Sequence, residues 1–220
     1  MNQHQIMTQI KWIIIFTFLS VFAKAQDFGK VEKGISLAFQ NDGSMYEKGI
    51  SYPTKLQLGG HAGFMLKIPF DYHVFFVPQA DLNFRQFQQK KPVPNEYFSI
   101  SEWQLRLAPM LQIDFSKAEM NTFFLQFGPS FGFGLKGKQT SINNSGIEES
   151  RSLKYGYQAY GRYDVSAHAI FGYETTSGLR LAAEYVYGLG NMINTEMAAR
   201  LKYRTIAIEF GYILGRKSKK

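Results

Sequence analysis

KLQLGGHAGFMLKIPF, residues 55–70, is the stretch that decides the fold. Every second residue is apolar or small: Leu56, Leu58, Gly60, Ala62, Phe64, Leu66, Ile68 and Phe70. Between them stand Gln57, Gly59, His61, Gly63, Met65 and Lys67. A period of two puts one greasy face and one polar or small face on a strand. Similar segments recur along the chain, and their polar faces hold too many charges for a soluble core. The greasy face is therefore expected to meet lipid, and the polar face to line an interior.

Eight such segments can be counted. The first, residues 33–40, has Ile35, Leu37 and Phe39 outward, and residues 55–70 are the second. The third, 74–84, sets Phe76, Pro78, Ala80, Leu82 and Phe84 against Gln79, Asp81, Asn83 and Arg85. The fourth has outward Trp103, Leu105, Leu107, Pro109, Leu111, Ile113 and Phe115 opposite Glu102, Gln104, Arg106, Gln112 and Asp114. The fifth alternates from Phe123 to Leu135, the sixth from Tyr163 to Tyr173, the seventh from Leu181 to Tyr187 and the eighth from Ile206 to Leu214. Connections near 69–73, 116–121 and 175–178 are short; those at 41–54, 88–99, 137–161 and 188–200 are long and polar. Short turns on one side and long loops on the other imply an eight-stranded antiparallel up-and-down transmembrane β-barrel, with its loops external and its turns periplasmic. Eight strands leave an interior that side chains fill.

Ahead of the strands, Lys11 precedes the apolar run 12–22, and Ala23-Lys24-Ala25 follows. The run is too short to span as a helix, which needs about 20 residues. It reads as a cleavable signal peptide, 1–25, followed by a single domain, 26–215, and a basic tail, 216–220. The chain has no cysteine, which excludes disulfides, a thiol nucleophile and a lipid-anchored cysteine. The formal charge of +8 falls to +6 once Lys11 and Lys24 leave with the signal. For an exported barrel that charge points to anionic lipid and lipopolysaccharide, not to nucleic acid. Twenty Phe and thirteen Tyr suit the aromatic girdles of such a barrel.

VPQADLNFRQ (77–86), EWQLRLAPMLQIDF (102–115), LQFGPSFGFGLKG (125–137), YDVSAHAIFGYE (163–174) and LAAEYVYGLGNM (181–192) occur in order. Together they resemble the PorT-like family of small outer-membrane β-barrels, most specifically through Tyr185-Val186-Tyr187-Gly188-Leu189-Gly190-Asn191. The resemblance covers almost all of the mature chain. It implies fold and location strongly and function weakly, although the founding member belongs to a protein-secretion machine. Barrels of this kind commonly end on an aromatic residue, whereas here Tyr212 is followed by eight further residues.

The expected interior set is Asp81, Glu102, Asp114, Asp164, Glu174, Glu184 and Glu209 against Lys67, Arg85, Arg106, Arg162 and Arg180. Buried charges must be paired, so these predict a salt-bridged plug. Asp81, Arg85, Glu102 and Arg106 are expected to share one network, with Asp164, His168, Arg180 and Glu184 also lining the lumen. A narrow polar path for a solute is the alternative. His61 and His168 also face inward. His168 shares a face with Ser166 and Asp164, which leaves an outer-leaflet lipid A-modifying enzyme as a third reading, but ordinary alternation explains the spacing as well. Arg200, Lys202 and Arg204 have the outward parity of Ile206 and read either as a solvated strand end or as contacts for lipopolysaccharide phosphates. Gly128, Gly132 and Gly134 are small inward positions that make room for neighbours, and 143–146 reads as a loop tip. No metal-ligand spacing and no cofactor motif occurs. Pro78, Pro109 and Pro129 lie on the apolar faces of three consecutive strands. Each is expected to mark a bulge or a ladder break, either independently or as one slanted seam. The expected role is non-enzymatic: envelope structure, or external loops presented to an envelope protein.

Overall fold

The computed structural model describes residues 30–46, 54–55, 57–90, 97–116, 120–142, 145, 147–156, 159–192 and 201–216. The expected signal peptide, residues 217–220 of the basic tail and Arg200 lie outside them. The strands are β1 (Glu32–Tyr46), β2 (Thr54–Lys55), β3 (Gln57–Pro69), β4 (Val74–Lys90), β5 (Tyr97–Asp114), β6 (Thr122–Ile142), β7 (Glu148–Ser152), β8 (Tyr163–Glu174), β9 (Leu179–Gly188) and β10 (Leu201–Leu214). Eight of them close a ring in the order β1, β3, β4, β5, β6, β8, β9, β10, every neighbouring pair antiparallel. The closing seam between β1 and β10 runs from Lys33 opposite Leu214 to Tyr46 opposite Leu201. Closure follows from the solvent: an unpaired backbone group in hydrocarbon costs several kcal/mol, so neither β1 nor β10 is left as an edge.

Side chains obey the expected alternation. Phe64 is 72% exposed and Met65, the next residue, 1%. On β6 the outward apolar row runs from Phe123 to Leu135 and then gives way to Lys136 and Lys138. Thirteen residues at about 3.3 Å each, tilted by ~40°, span ~30 Å, the thickness of the hydrocarbon layer.

The strands are longer than the apolar pattern indicates. The first was expected to stop at Gln40, the third at Phe84 and the fifth at Leu135; they run on to Tyr46, Lys90 and Ile142. The stretch 137–161, expected to be loop, contains the end of β6 and all of β7, which pairs with it. Outside the lipid an outward side chain has no need to be apolar, so the pattern fades while the backbone ladder continues. Two side chains also depart from expectation. Ile68, placed outward by alternation, is fully buried, and Lys67 and Pro69 beside it are buried too. Arg162, placed inward, is exposed and sits over the rings of Phe133 and Tyr155.

The break at Ile68 coincides with a gap in the β3–β4 ladder, whose pairs jump from Met65 with Gln79 to Ile68 with Phe76, opposite Pro78. Pro78 is in direct register with Pro109. The β5–β6 pairs jump from Leu107 with Phe131 to Leu111 with Phe127 without a change of register, which leaves Pro109 facing Pro129 across the gap. The prolines therefore form one in-register row with two ladder gaps, breaks in the ladder and not bulges, and the tilt of the strands slants that row across the wall. The register shift in this ladder lies instead at Trp103/Gln104. An apolar groove of about 480 Å³, lined by Phe64, Leu66, Phe76, Pro78, Leu107 and Pro109 among others, follows the row on the outer wall. A missing ladder bond is worth about 1 kcal/mol, so the Leu66 N–H, which faces the Pro78 carbonyl across the β3–β4 gap, is expected to exchange ~5-fold faster in detergent than the amides of β9 and β10. Equal protection would show that this group has found another partner.

The lumen is not uniformly polar. Met65, Phe75, Val77, Ala108, Met110, Phe124, Ile170, Ala182 and Ile213 pack together on the inside. Phe87, Ile100, Leu153, Tyr160, Met192 and Tyr203 form a second apolar cluster toward the long connections.

Candidate functional site: the plugged lumen

The inward side chains form three ionic cells stacked along the barrel. Along β5, counted from its short turn, Asp114 belongs to the first, Arg106 to the second and Glu102 to the third. Met110 and Ala108 separate the first from the second.

The turn-side cell is balanced. Lys67 Nζ donates to Asp114 Oδ2 at 2.7 Å and to Glu174 Oε1 at 2.8 Å. Arg180 Nη1 lies 3.4 Å from Glu174 Oε2, and Arg216 Nη1 lies 2.9 Å from Glu174 Oε1 while Arg216 also pairs with Glu32. Three cations thus meet three carboxylates. Arg180 also lies over the ring of Phe124, which joins the cell to the apolar layer.

The outer cell is built on Arg85. Its Nε donates to Glu102 Oε2 and its Nη1 to Asp164 Oδ2, both at 2.9 Å, and its guanidinium lies 3.6 Å from the Tyr203 ring centre. Tyr155 donates to Glu102 Oε1 at 2.9 Å and Tyr160 to Oε2 at 3.4 Å. Burial pushes both phenols well above their ordinary range, with Glu102 adding to the shift, so both remain donors. Nearby, Asp42 accepts from Thr205 Oγ1 at 2.6 Å, Gln40 Nε2 at 3.1 Å and the Gln86 N–H at 3.1 Å. A Cβ at Gly134 would lie 2.4 Å from Glu102 Oε1, so only glycine leaves that carboxylate its place.

The middle cell joins five barrel strands besides β8. Arg106 Nε donates to Asp81 Oδ2 at 2.9 Å and Nη1 to Glu184 Oε1 at 2.8 Å. His168 Nε2 lies 3.0 Å from Glu184 Oε1. His61 Nε2 lies 3.4 Å from Glu184 Oε2 and 3.7 Å from Glu209 Oε2. His61, Glu184 and Glu209 are all buried, and their ligand atoms lie within 4.8 Å of one another.

Asp81, Arg106, His168 and Glu184 thus meet in the middle cell, Arg85, Glu102 and Asp164 in the outer cell, and Arg180 in the turn-side cell. Asp81, Arg85, Glu102 and Arg106, expected in one network, divide between two cells with no ion pair between the cells among the described residues. Ser166 Oγ donates to Asp164 Oδ2 at 3.3 Å while His168 faces Glu184, so the side chains of the enzyme reading point to different partners. Lys202 and Arg204 are half-buried on β10, and the Arg204 guanidinium lies 5.1 Å from the Tyr187 ring centre. Sequence reasoning missed Asp42, which lies in a stretch read as loop; the parity of Gln40, carried two residues further, would have found it. It also missed Tyr203, which shares the inward parity of Thr205, and Tyr155 and Tyr160, which no alternation marks as lumen residues. The void between Arg85, Arg106, Asp164 and Tyr203 is about 20 Å³, room for about one water.

The chain is similar to several solved structures at low identity. Ail of Yersinia pestis is 15% identical, with 84% of this chain and 100% of that chain covered, at a TM-score of 0.47. OprG from Pseudomonas aeruginosa is 13% identical, with coverages of 85% and 98% and a TM-score of 0.45. Neisserial surface protein A is 9% identical, with coverages of 84% and 99% and a TM-score of 0.43. No curated protein matches the chain. The family profile described as "Outer membrane protein beta-barrel domain" matches residues 24–194, most of the sequence. A closed barrel with an apolar outer wall agrees with that description, and the chain belongs to the outer-membrane protein β-barrel domain family, resident in the cell outer membrane.

Proposed function

We propose that this barrel is a non-enzymatic, plugged wall element that presents an external sheet to an envelope protein. One observation carries the reading. β5 and β6 stay paired as far as Tyr97 opposite Ile142, past the end of the apolar band, and β7 adds a fully exposed strand to them. An exposed strand of this kind suits recognition by strand addition. The packed lumen, with its small void and its ionic cells, argues against the narrow-channel alternative. Within the family, the Tyr185 to Asn191 element supports a PorT-like member. Lys202 and Arg204, at the outer end of β10, are suited to lipopolysaccharide phosphates, with Arg200 continuing the same parity.

Photocrosslinker placed at Ser150 in the native membrane is expected to give a discrete protein adduct, whereas crosslinker at Phe171 on the lipid face gives lipid alone. Indistinguishable adducts from the two positions would sink the reading. In planar bilayers the wild-type barrel is expected to show no steps above the baseline; steady unit conductance would favour the channel.

A further inference from the structure

We propose that His61, Glu184 and Glu209 bind one divalent transition-metal cation of the zinc type inside the lumen. This does not depend on the proposed function. Gln40 Nε2 donates to Asp42 and to Asn83 Oδ1, which turns Gln40 Oε1 toward His61 Nδ1, 3.3 Å away. An amide oxygen there requires the proton on Nδ1. In the neutral ring the lone pair of Nε2 then faces the Glu184 and Glu209 carboxylates. His61 Nε2, Glu184 Oε2 and Glu209 Oε1 have no hydrogen-bond partner, and the side chains are 0–1% exposed. A lone pair and two carboxylates converging in a dry site repel one another unless a cation lies between them.

Where the turn-side cell sets three cations against three carboxylates, the middle cell has Arg106 alone against Asp81, Glu184 and Glu209. A divalent ion supplies the missing two charges. A tetrahedral zinc with bonds of 2.0–2.1 Å has edges of roughly 3.3–3.4 Å between ligand atoms. The two distances from His61 Nε2 are 3.4 and 3.7 Å, within a few tenths of an ångström of that edge, and all three ligand atoms lie within 4.8 Å of one another. The site's outer shell is also in place. Gln40 fixes the His61 tautomer, while Arg106 donates to the second oxygen of Glu184 and His168 Nε2 lies 3.0 Å from it, the kind of support that orients metal ligands. The three ligands come from β3, β9 and β10, so no local spacing in the sequence could reveal them. The competing arrangement places protons on both nitrogens of His61 and of His168 in place of the metal.

The test refolds the full barrel into detergent with excess zinc, removes free metal by dialysis and counts zinc per chain by mass spectrometry. One ion per barrel is expected, together with the intense visible bands of a tetrahedral site when cobalt replaces zinc. Glu209→Gln is expected to lose the ion. His168→Gln is expected to keep it with an affinity lower by about 10–100-fold, as for an outer-shell partner. Fewer than about one ion in ten wild-type chains would overturn the proposal, as would full occupancy in a folded Glu209→Gln. Nitrogen NMR of the wild-type histidines covers a variant that does not fold. A metal-shifted, unprotonated Nε2 on His61 is expected, and an imidazolium in the zinc-treated barrel overturns the site.

Discussion

Replacing Arg106 by alanine is expected to remove about 3–5 kcal/mol from the stability of the barrel, read by urea unfolding from lipid vesicles. Arg106 is 4% exposed and sits between Asp81 and Glu184, one hydrogen bond to each. Without it the middle cell keeps three carboxylates and loses its one guanidinium. The size of the loss comes less from the missing attraction than from the carboxylates left uncompensated in a dry interior. Lys67→Met should cost less. Glu174 would keep Arg180 and Arg216, and Asp114 would keep the amide of Gln112. If Arg106→Ala unfolds within 1 kcal/mol of the wild type, water fills the lumen around these acids and the plug is wet.

Phe124→Ala is the second large effect, expected at about 3–5 kcal/mol through a different cause. Phe124 is fully buried in the apolar layer with Met65, Met110, Ile170 and Ala182, and Arg180 lies over its ring at 4.2 Å. Its removal leaves a cavity that rigid strands cannot close, because each is held by ladders on both sides. Methionine or leucine at the same position should recover most of the loss. A gap between the strands is already filled at Gly172, where a Cβ would lie 2.6 Å from the Phe124 ring and 2.6 Å from Ala182 Cβ. Gly172→Leu should therefore worsen the packing of the wild type, by ~1–3 kcal/mol. Alanine tolerated at position 124 without loss would mean that the layer is loosely packed and contributes little.

The wall of this barrel was legible in the sequence. Lipid demands an apolar side chain at every outward position and admits no free edge, so a period of two repeated eight times leaves one architecture. Phe64 outward and His61 inward are consequences of parity alone, and so is the inward set of Asp81, Arg85, Glu102, Arg106 and Glu184. The same rule is silent where its cause is absent. Beyond the lipid, the ends of β1, β4 and β6 continue without alternation, and β7 lay hidden in what read as loop. Inside the wall, parity shows that a residue faces the lumen but not which residue it meets there. Phe75, Val77 and Phe124 share their parity with charged neighbours yet form a dry layer, because strand tilt and register bring them to one level. Asp81 and Arg85 lie four residues apart on one strand but serve different cells. His61, Glu184 and Glu209 lie on strands distant in the chain and converge only because the barrel closes. Parity is local, and the sequence carries it. Level and partner depend on the shear between strands, which only the closed tertiary structure decides.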